Sequence, residues 1–287
     1  MKQPIIIAGA PHSGTQLIYN FLAKAGIFVG ADFTEGKDSP YFSHINKWIL
    51  TQMGATWDNP YNARFVDDGF IEAIQKTLER HMRGKLFRKF LGEKKEVKKA
   101  AYIDFDWGWS DPVNMFTLEV WKNIFANPVL IQIHRNPVDV ISDFVEEAEK
   151  TEQLRKTSKF DGFSRRRVER KLLDKRIYNT SLRTSRPIEA YRLWQQYVEK
   201  GLKLEEAIDI KTHVIRYEEL VANPDSEIER LFEFLDFKLP DGIIDQMKLT
   251  LDGLKPVEFL KNRSMLEFHH TICNQSIMAE MNYHDIT

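Results

Sequence analysis

The first thirty residues contain a short apolar run followed by a segment in which apolar residues recur at helical spacing. An apolar run from Ile5 to Ile7 leads through a glycine-containing turn into a segment whose apolar residues recur at helical spacing from Leu17 to Ala25. Gly26 is predicted to end this helix, because glycine is common just beyond a helix C-terminus. The segment therefore predicts a strand, a loop and a helix.

Three later apolar runs repeat this order. They are Tyr102–Phe105, Val129–Ile133 and His213–Arg216. Each is followed by an N-cap residue and a proline, whose missing N–H costs nothing in the first helical turn. These pairs are Asp111-Pro112, Asn136-Pro137 and Asn223-Pro224. The alternation predicts an α/β fold with a parallel sheet flanked by helices on both faces, where ligands bind at the carboxyl ends of the strands.

A charged stretch from Glu146 to Arg186 interrupts this pattern. It contains basic runs at Ser164–Arg167 and Arg170–Lys171 and few aromatic residues. We predict one domain over residues 1–287 with a charged helical insertion or lid at about 146–190. The basic run is either a solvated helix face or a lid over an acidic glycan or lipid head group.

Composition limits the classes of partner. The 287 residues are 43% hydrophobic, which is enough for a large core, and 41 Lys plus Arg balance 42 Asp plus Glu. The net charge of −1 gives no reason to expect nucleic acid, so any anion site must be local. Cys273 is the sole cysteine, which excludes an internal disulfide and a thiolate zinc cluster. With no apolar run long enough for a membrane span and no room for a secretory signal before Ala10, we expect a soluble, cytoplasmic protein.

The loop after the first strand carries the clearest chemistry. Gly9 to Gln16 reads GAPHSGTQ and has the G-x-x-x-x-G spacing of a phosphate-binding P-loop between a strand and a helix. Nucleotide hydrolases follow the second glycine with Lys and then with a Ser or Thr that holds magnesium, whereas this chain has Thr15 and Gln16. The loop thus predicts an anion cradle without magnesium machinery. The alternative is a glycine turn that binds no ligand.

Four segments together resemble a known family. PHSGT resembles the P-[K/R]-S-G-T loop of sulfotransferases, and VLIQIHRNPVDVISDF resembles their 3′-phosphate motif. HVIRYEELVANP resembles the later RYEDL-x-x-NP segment, and AYIDFDWGWSDP resembles the G-[FW]-K-[DE]-P segment of bacterial members. The resemblance extends from Ile5 to about Phe237 and implies a P-loop-type sulfotransferase fold.

The resemblance also implies a ligand and its binding residues. The donor would be 3′-phosphoadenosine 5′-phosphosulfate (PAPS), with no metal. Its 5′-phosphosulfate would lie on Pro11, His12, Ser13, Gly14, Thr15 and Gln16. Arg135 and Ser142 would bind the 3′-phosphate, and Tyr217 would lie near the adenine. The alternatives are a salt bridge of Arg135 to Asp139 or Glu218, a solvent-facing Ser142 and a Tyr217 at the core edge.

Three positions depart from the family pattern. His12 replaces a permanent cation beside the bridging oxygen, and Ser110 stands where many relatives have Lys. Ser142 lies seven residues after Arg135, whereas the family serine lies eight after its arginine, so Asp143 occupies the expected place. An acidic side chain there would repel a phosphate.

The reaction implied by the resemblance is an in-line sulfuryl transfer, in which a base takes the proton of the acceptor. Glu35 is the leading candidate for this base, because some relatives use a Glu soon after the first helix; Asp32 and Asp38 lie nearby. Asp111 is a second candidate, although an N-cap role also explains it. His12 would act as the cation on the leaving phosphate.

Trp107 and Trp109 are either packing residues or a platform for the acceptor, which would be a small molecule, glycan or lipid with a hydroxyl or amine. Two other functions stay open. One is a catalytically impaired protein that binds PAPS or 3′,5′-ADP, and the other is a P-loop small-molecule kinase that depends on magnesium.

Overall fold

The computed structural model describes residues 2–94, 96, 103–157, 181–207 and 209–285, with side chains omitted at 151–157 and 205–207. The chain divides into two compact units. The first comprises Met1–Arg135 and Gln196–Pro256, and the second comprises Asn136–Gln195 and Val257–Thr287. The basic runs of the predicted insertion lie outside the described residues. In the part of the chain that is described, no helix has the length and apolar character that a membrane crossing requires.

A parallel sheet forms the centre of the first unit. Its strands are β1 (Ile5–Gly9), β2 (Gly108–Ser110), β3 (Val129–His134) and β4 (Thr212–Arg216), in the order β2-β1-β3-β4. Ile5 pairs with Gly108 on one side and with Val129 on the other. All the paired neighbours are parallel, so the predicted α/β class is confirmed.

Twelve helices are assigned within the described residues. They are α1 (Thr15–Lys24), α2 (Pro40–Gln52), α3 (Asp68–His81), α4 (Lys85–Leu91), α5 (Asn114–Ile124), α6 (Pro137–Thr157), α7 (Pro187–Ala207), α8 (Tyr217–Ala222), α9 (Pro224–Phe234), α10 (Ile243–Lys248), α11 (Arg263–Ile272) and α12 (Ser276–Glu280). Short 3-10 turns occur at Pro60–Phe65, Gly92–Lys94 and Phe259–Lys261.

The prediction of a strand at Tyr102–Phe105 is wrong. The structure places β2 at Gly108–Ser110, and residues 103–105 are not in a strand. The reason is the close approach of β1: a Cβ added to Gly108 would lie 2.3 Å from the Ile5 carbonyl oxygen. Glycine permits this pairing, although its lack of a side chain hides the strand from a search for apolar runs.

Most of the predicted helix ends are confirmed. Helix α1 ends at Lys24, and Gly26 follows with a φ of 88°. Helices α6 and α9 begin at Pro137 and Pro224, as predicted. The third proline does not begin a helix, because α5 starts at Asn114.

Both faces of the sheet are covered within the first unit. Ile5 and Ile7 pack into a core shared with α1, α8, α9 and α10. On the opposite face β1 contacts α5, and the Gln132 amide donates to the Gly201 carbonyl of α7 at 3.5 Å. Parallel strands buried on both faces place their polar chemistry at the carboxyl ends.

The second unit has its own buried contacts. The Asp139 carboxylate on α6 accepts hydrogen bonds from the backbone N–H groups of Glu258 and Phe259, the latter at 2.7 Å. His269 hydrogen-bonds the Tyr283 carbonyl at 3.0 Å and stacks on Phe259. These contacts connect α6 to the C-terminal helices of the same unit.

Candidate active site

The loop between β1 and α1 folds tightly against β3. A Cβ on Gly9 would lie 2.5 Å from the Ile133 carbonyl oxygen, so no larger residue fits there. Gly14 has a φ of 103°, a left-handed conformation that favours glycine, and α1 begins at the next residue. The first N–H groups of α1 have no partner within the helix and therefore suit an anion.

Ser13 is the fully buried residue of this loop. Its backbone N–H donates to the Ala10 carbonyl at 3.0 Å. Its hydroxyl oxygen has no hydrogen-bond partner among the described residues. Because an unsatisfied buried hydroxyl costs about 1–3 kcal/mol, such a group in a phosphate-type loop fits an oxyanion ligand.

His12 has a φ of 64°, which is uncommon for a residue other than glycine. Its backbone carbonyl accepts a hydrogen bond from Arg135 Nη1 at 3.0 Å. The arginine that follows β3 therefore holds the strained residue of the loop in place. Strain that the surroundings enforce is typical of ligand-binding loops.

Arg135 lies on an aromatic ring at the end of β3. It is 7% exposed, and its Cζ atom lies 4.5 Å from the ring centroid of Tyr217, the first residue of α8. The same ring would lie 3.1 Å from a Cβ on Gly14. Gly14, Arg135 and Tyr217, which follow β1, β3 and β4, thus lie together. The predicted contacts of Arg135 with a 3′-phosphate and of Tyr217 with an adenine stay predictions.

The remaining loop residues differ in burial. Thr15 is buried, whereas Pro11 and His12 are half-buried and Gln16 is exposed. Gln16 occupies the position that holds the magnesium hydroxyl in nucleotide hydrolases, so an amide stands there in this chain.

Two carboxyl groups lie beside the loop at the end of β2. The Ser110 hydroxyl donates to Asp38 Oδ1 at 2.7 Å, and Asp111 follows directly in the chain. Burial raises the pKa of Asp38 to about 7, and the neighbouring Asp111 adds to this rise. Burial also raises the pKa of Asp111. At neutral pH the pair therefore does not carry two full negative charges.

A network of buried amides fixes Asp111. Asp111 Oδ2 accepts from Asn46 Nδ2 at 3.1 Å, and Oδ1 accepts from the Val113 N–H at 3.0 Å. Asn46 Nδ2 also donates to Asn114 Oδ1 at 2.7 Å, and Asn114 Nδ2 donates to the Ile7 carbonyl at 2.7 Å. A satisfied network of this kind holds a carboxyl group rigidly.

The other predicted residues differ in exposure and in the element that carries them. Glu35 has a side chain that is 65% exposed, with Oε1 3.9 Å from Lys24 Nζ. Ser142 and Asp143 are half-buried on α6 in the second unit, and their predicted effects on a 3′-phosphate stay predictions. Trp107 and Trp109 are fully buried, and the Trp109 ring stacks on another ring of the core, so both are packing residues.

The pairing of Asp38 with Ser110 and the contacts of Asn46 and Asn114 were not predicted from the sequence. Asp38 lies just before Ser39-Pro40 at the start of α2, which is a visible N-cap signal. No local pattern indicates that this turn packs against the end of β2. Within the described residues, no group of His, Cys, Asp and Glu side chains could hold a metal ion.

Comparison with known proteins gave one family match. The model described as "Sulfotransferase family" matches residues 4–241, a range that includes the four strands and the loop. No protein of curated function matched the chain.

Several solved structures are similar to this chain. The sulfotransferase domain from the curacin biosynthetic pathway shares 18% identity over 99% of this chain and 98% of that chain, with a TM-score of 0.47. A sulfotransferase from Mycobacterium tuberculosis shares 13% identity over 89% of this chain and 74% of that chain, with a TM-score of 0.45. A sulfotransferase from Alicyclobacillus acidocaldarius shares 16% identity over 100% of this chain and 98% of that chain, with a TM-score of 0.43.

Proposed function

This chain belongs to the sulfotransferase family, and we propose that it transfers the sulfuryl group of PAPS to a hydroxyl or amine acceptor. The observation that carries this proposal is the loop after β1. It has a buried Ser13 hydroxyl without a partner among the described residues, a left-handed Gly14 and the N-terminus of α1. Together these features suit a bound oxyanion.

The residues present fit the donor. Residues 11–16 would hold the 5′-phosphosulfate through the backbone N–H groups, the Ser13 hydroxyl and the buried Thr15. Arg135 would bind the 3′-phosphate, since a planar guanidinium at a strand end suits bidentate recognition of phosphate. The Tyr217 ring, 4.5 Å from the Arg135 Cζ atom, would support that guanidinium and would lie near the adenine.

Catalysis in this site depends on position and charge. When bound, the donor supplies an activated sulfuryl group on a phosphate leaving group. Arg135 fixes the backbone of His12, and His12 would present its imidazole to the leaving oxygen. Thr15 and Gln16 occupy the positions at which nucleotide hydrolases have a lysine and a hydroxyl that binds magnesium. This difference supports metal-independent transfer over a kinase reaction.

The direct test is turnover of PAPS by the full chain without magnesium. Acceptors would be taken in turn from phenols, sugars, alkyl amines and lipid alcohols. Both the release of 3′,5′-ADP and the appearance of the sulfonated acceptor would be measured. Transfer to at least one class is expected. Binding of 3′,5′-ADP without turnover of any acceptor would instead indicate a nucleotide-binding protein.

Ser13→Ala is the matched variant for this test. Removing an unsatisfied buried hydroxyl should leave the free energy of unfolding unchanged or slightly higher. The affinity for 3′,5′-ADP should nevertheless fall about tenfold, because a hydrogen bond to a charged group is lost. A variant that is clearly less stable, with unchanged affinity, would contradict the assignment of Ser13 to the donor.

A further inference from the structure

Two carboxyl groups, those of Asp38 and Asp111, lie near the end of β2, and helix capping explains only the second. Asp111 Oδ1 already accepts from the Val113 N–H and caps the turn before α5. Asp38 caps no helix, because the N-cap residue of α2 is Ser39. Its half-buried carboxyl instead accepts from the Ser110 hydroxyl at 2.7 Å.

Two hydrogen bonds fix the turn that holds Asp38 to the end of β2. The Ser110 hydroxyl donates to the Asp38 carboxylate at 2.7 Å. The backbone N–H of Ser39 donates to the Ser110 carbonyl at 3.3 Å, so the turn itself is joined to β2. Ser110 pairs with Ile7 of β1, so this carboxyl group lies at the end of the sheet where β1 leads into the phosphate-type loop.

The groups that face this pair are mostly neutral or acidic. Tyr19 of α1 interacts with both Asp38 and Asp32, and Tyr197 of α7 interacts with Asp111. Lys89 of α4 interacts with Asp32. Burial raises the pKa of Asp38 to about 7, and the negative charge of Asp111 raises this pKa further.

We propose that Asp38 takes the proton of the acceptor during sulfuryl transfer, and that Ser110 and Asp111 are positioning residues that set its proton affinity. This inference rests on the proposed function. It assigns this step to the half-buried Asp38, which accepts from Ser110, and not to the exposed carboxylate of Glu35.

The acceptor oxygen or nitrogen uses a lone pair to form the new bond to sulfur, while the bond from sulfur to the bridging phosphate oxygen breaks. That electron pair leaves on 3′,5′-ADP. The acceptor proton moves to a carboxylate oxygen of Asp38, and solvent removes it after product release.

The first experiment compares Asp38→Asn with Glu35→Gln in the full chain. Two phenols serve as acceptors: 4-methylphenol, which must lose its proton during transfer, and 4-nitrophenol at a pH at which it is already ionised. Asp38→Asn should lower turnover of 4-methylphenol about 100-fold or more, the usual contribution of a general base. Turnover of ionised 4-nitrophenol should fall by less than about fivefold, because no proton has to be removed. Glu35→Gln should change neither rate.

The second experiment uses the pH dependence of turnover. Because Asp38 must be ionised to accept a proton, the wild-type rate should fall as pH drops below about 7. Asp111→Asn removes a neighbouring negative charge and should move this acidic limb to lower pH. Ser110→Ala removes a donor to the carboxylate and should move the limb to higher pH, whereas Ser110→Thr should restore it. A merely structural role would not move the limb in opposite directions.

The outcomes separate this inference from the proposed function. If the wild type transfers sulfuryl groups and Asp38→Asn retains both phenol rates, or loses them equally, the inference is overturned and the proposed function stands. If neither phenol is an acceptor, the comparison is made on the release of 3′,5′-ADP with water as acceptor, where an unchanged rate in Asp38→Asn overturns it. A wild type that does not turn over PAPS overturns both.

Discussion

At the residue scale, His12 occupies a backbone conformation that its own side chain disfavours. Its φ is 64°, and Arg135 holds its carbonyl. Glycine adopts this conformation without strain but loses more entropy on folding, so His12→Gly should change the free energy of unfolding by less than about 0.5 kcal/mol. His12→Val should destabilise by about 1–2 kcal/mol, since a β-branched residue is strained there.

Urea unfolding of both His12 variants checks this prediction. If His12 also contributes to donor binding, the stable His12→Gly variant will bind 3′,5′-ADP more weakly than the wild type does. Equal stability of the glycine and valine variants would show that the loop relaxes and that the left-handed conformation is not enforced.

Asp38 should also make stability depend on pH. Its folded-state pKa of about 7 lies above the unfolded value of about 3.9, so the folded state binds more protons between these values. Stability from this group is therefore fully present below about pH 4 and is lost as pH rises through about 7.

Asp38→Asn should remove this loss, since an amide can still accept from the Ser110 hydroxyl. Relative to the wild type, the variant should gain on the order of 2–4 kcal/mol of unfolding free energy between pH 4.5 and pH 7.5. Denaturant unfolding at these two pH values measures the gain. Glu35→Gln, at an exposed carboxylate, is the control, and an equal gain there would contradict the role of burial.

The residues of the loop could be found from sequence because a single local pattern contains them. One short stretch predicts a strand, a turn and a helix from Gly9, Gly14 and the apolar residues of α1. Asp38 was named only as a carboxylate near Glu35, and its burial could not be predicted this way. Its burial arises where a distant strand end packs against the turn before α2, and a charged residue in a polar turn otherwise reads as exposed.

At the element scale, the strands rich in β-branched residues were predicted and the glycine-containing one was not. β1, β3 and β4 contain runs of Ile and Val that mark them as strands. β2 is only three residues long and begins at Gly108, where contact with the Ile5 backbone decides the pairing. Asn-Pro pairs marked the starts of α6 and α9 because the cap and the proline act locally.

Helix α1 offers a matched pair of glycines, one at each end. Gly14 has a φ of 103° and Gly26 has a φ of 88°, so alanine should be strained at both, by about 1–2 kcal/mol. A Cβ at Gly14 would also lie 3.0 Å from Ile133 and 3.1 Å from Tyr217, whereas one at Gly26 would meet nothing within 4 Å.

We therefore expect Gly26→Ala to lose stability but to keep its affinity for 3′,5′-ADP. Gly14→Ala should lose more stability and at least about tenfold in affinity, because the ring that supports Arg135 has to move. Thermal unfolding and calorimetric titration measure the two effects. Equal losses of affinity in both variants would show that strain in α1, and not the packing of the loop, governs binding.

At the scale of the whole molecule, the net charge does not favour binding of an anionic nucleotide, so binding depends on local contacts. A chain with a net charge of −1 has no long-range attraction for a nucleotide that carries several negative charges. Affinity for such a ligand must come from the contacts at the ends of β1 and β3. The ranking of related nucleotides therefore reports which contacts are made.

We expect 3′,5′-ADP to raise the melting temperature of the full chain without magnesium, and to do so more than ATP or 5′-AMP. At a ligand concentration of 100 times Kd the stabilisation should be about 2.7 kcal/mol. ATP lacks the 3′-phosphate, and Thr15 and Gln16 do not supply the lysine and the magnesium hydroxyl that would favour its terminal phosphates. Arg135→Ala should remove the preference for 3′,5′-ADP over 5′-AMP, a loss of about 1.5–3 kcal/mol. Equal or greater stabilisation by ATP with magnesium would contradict the choice of donor, whereas an Arg135→Ala variant that keeps its preference for 3′,5′-ADP would contradict only the assignment of the 3′-phosphate to this arginine.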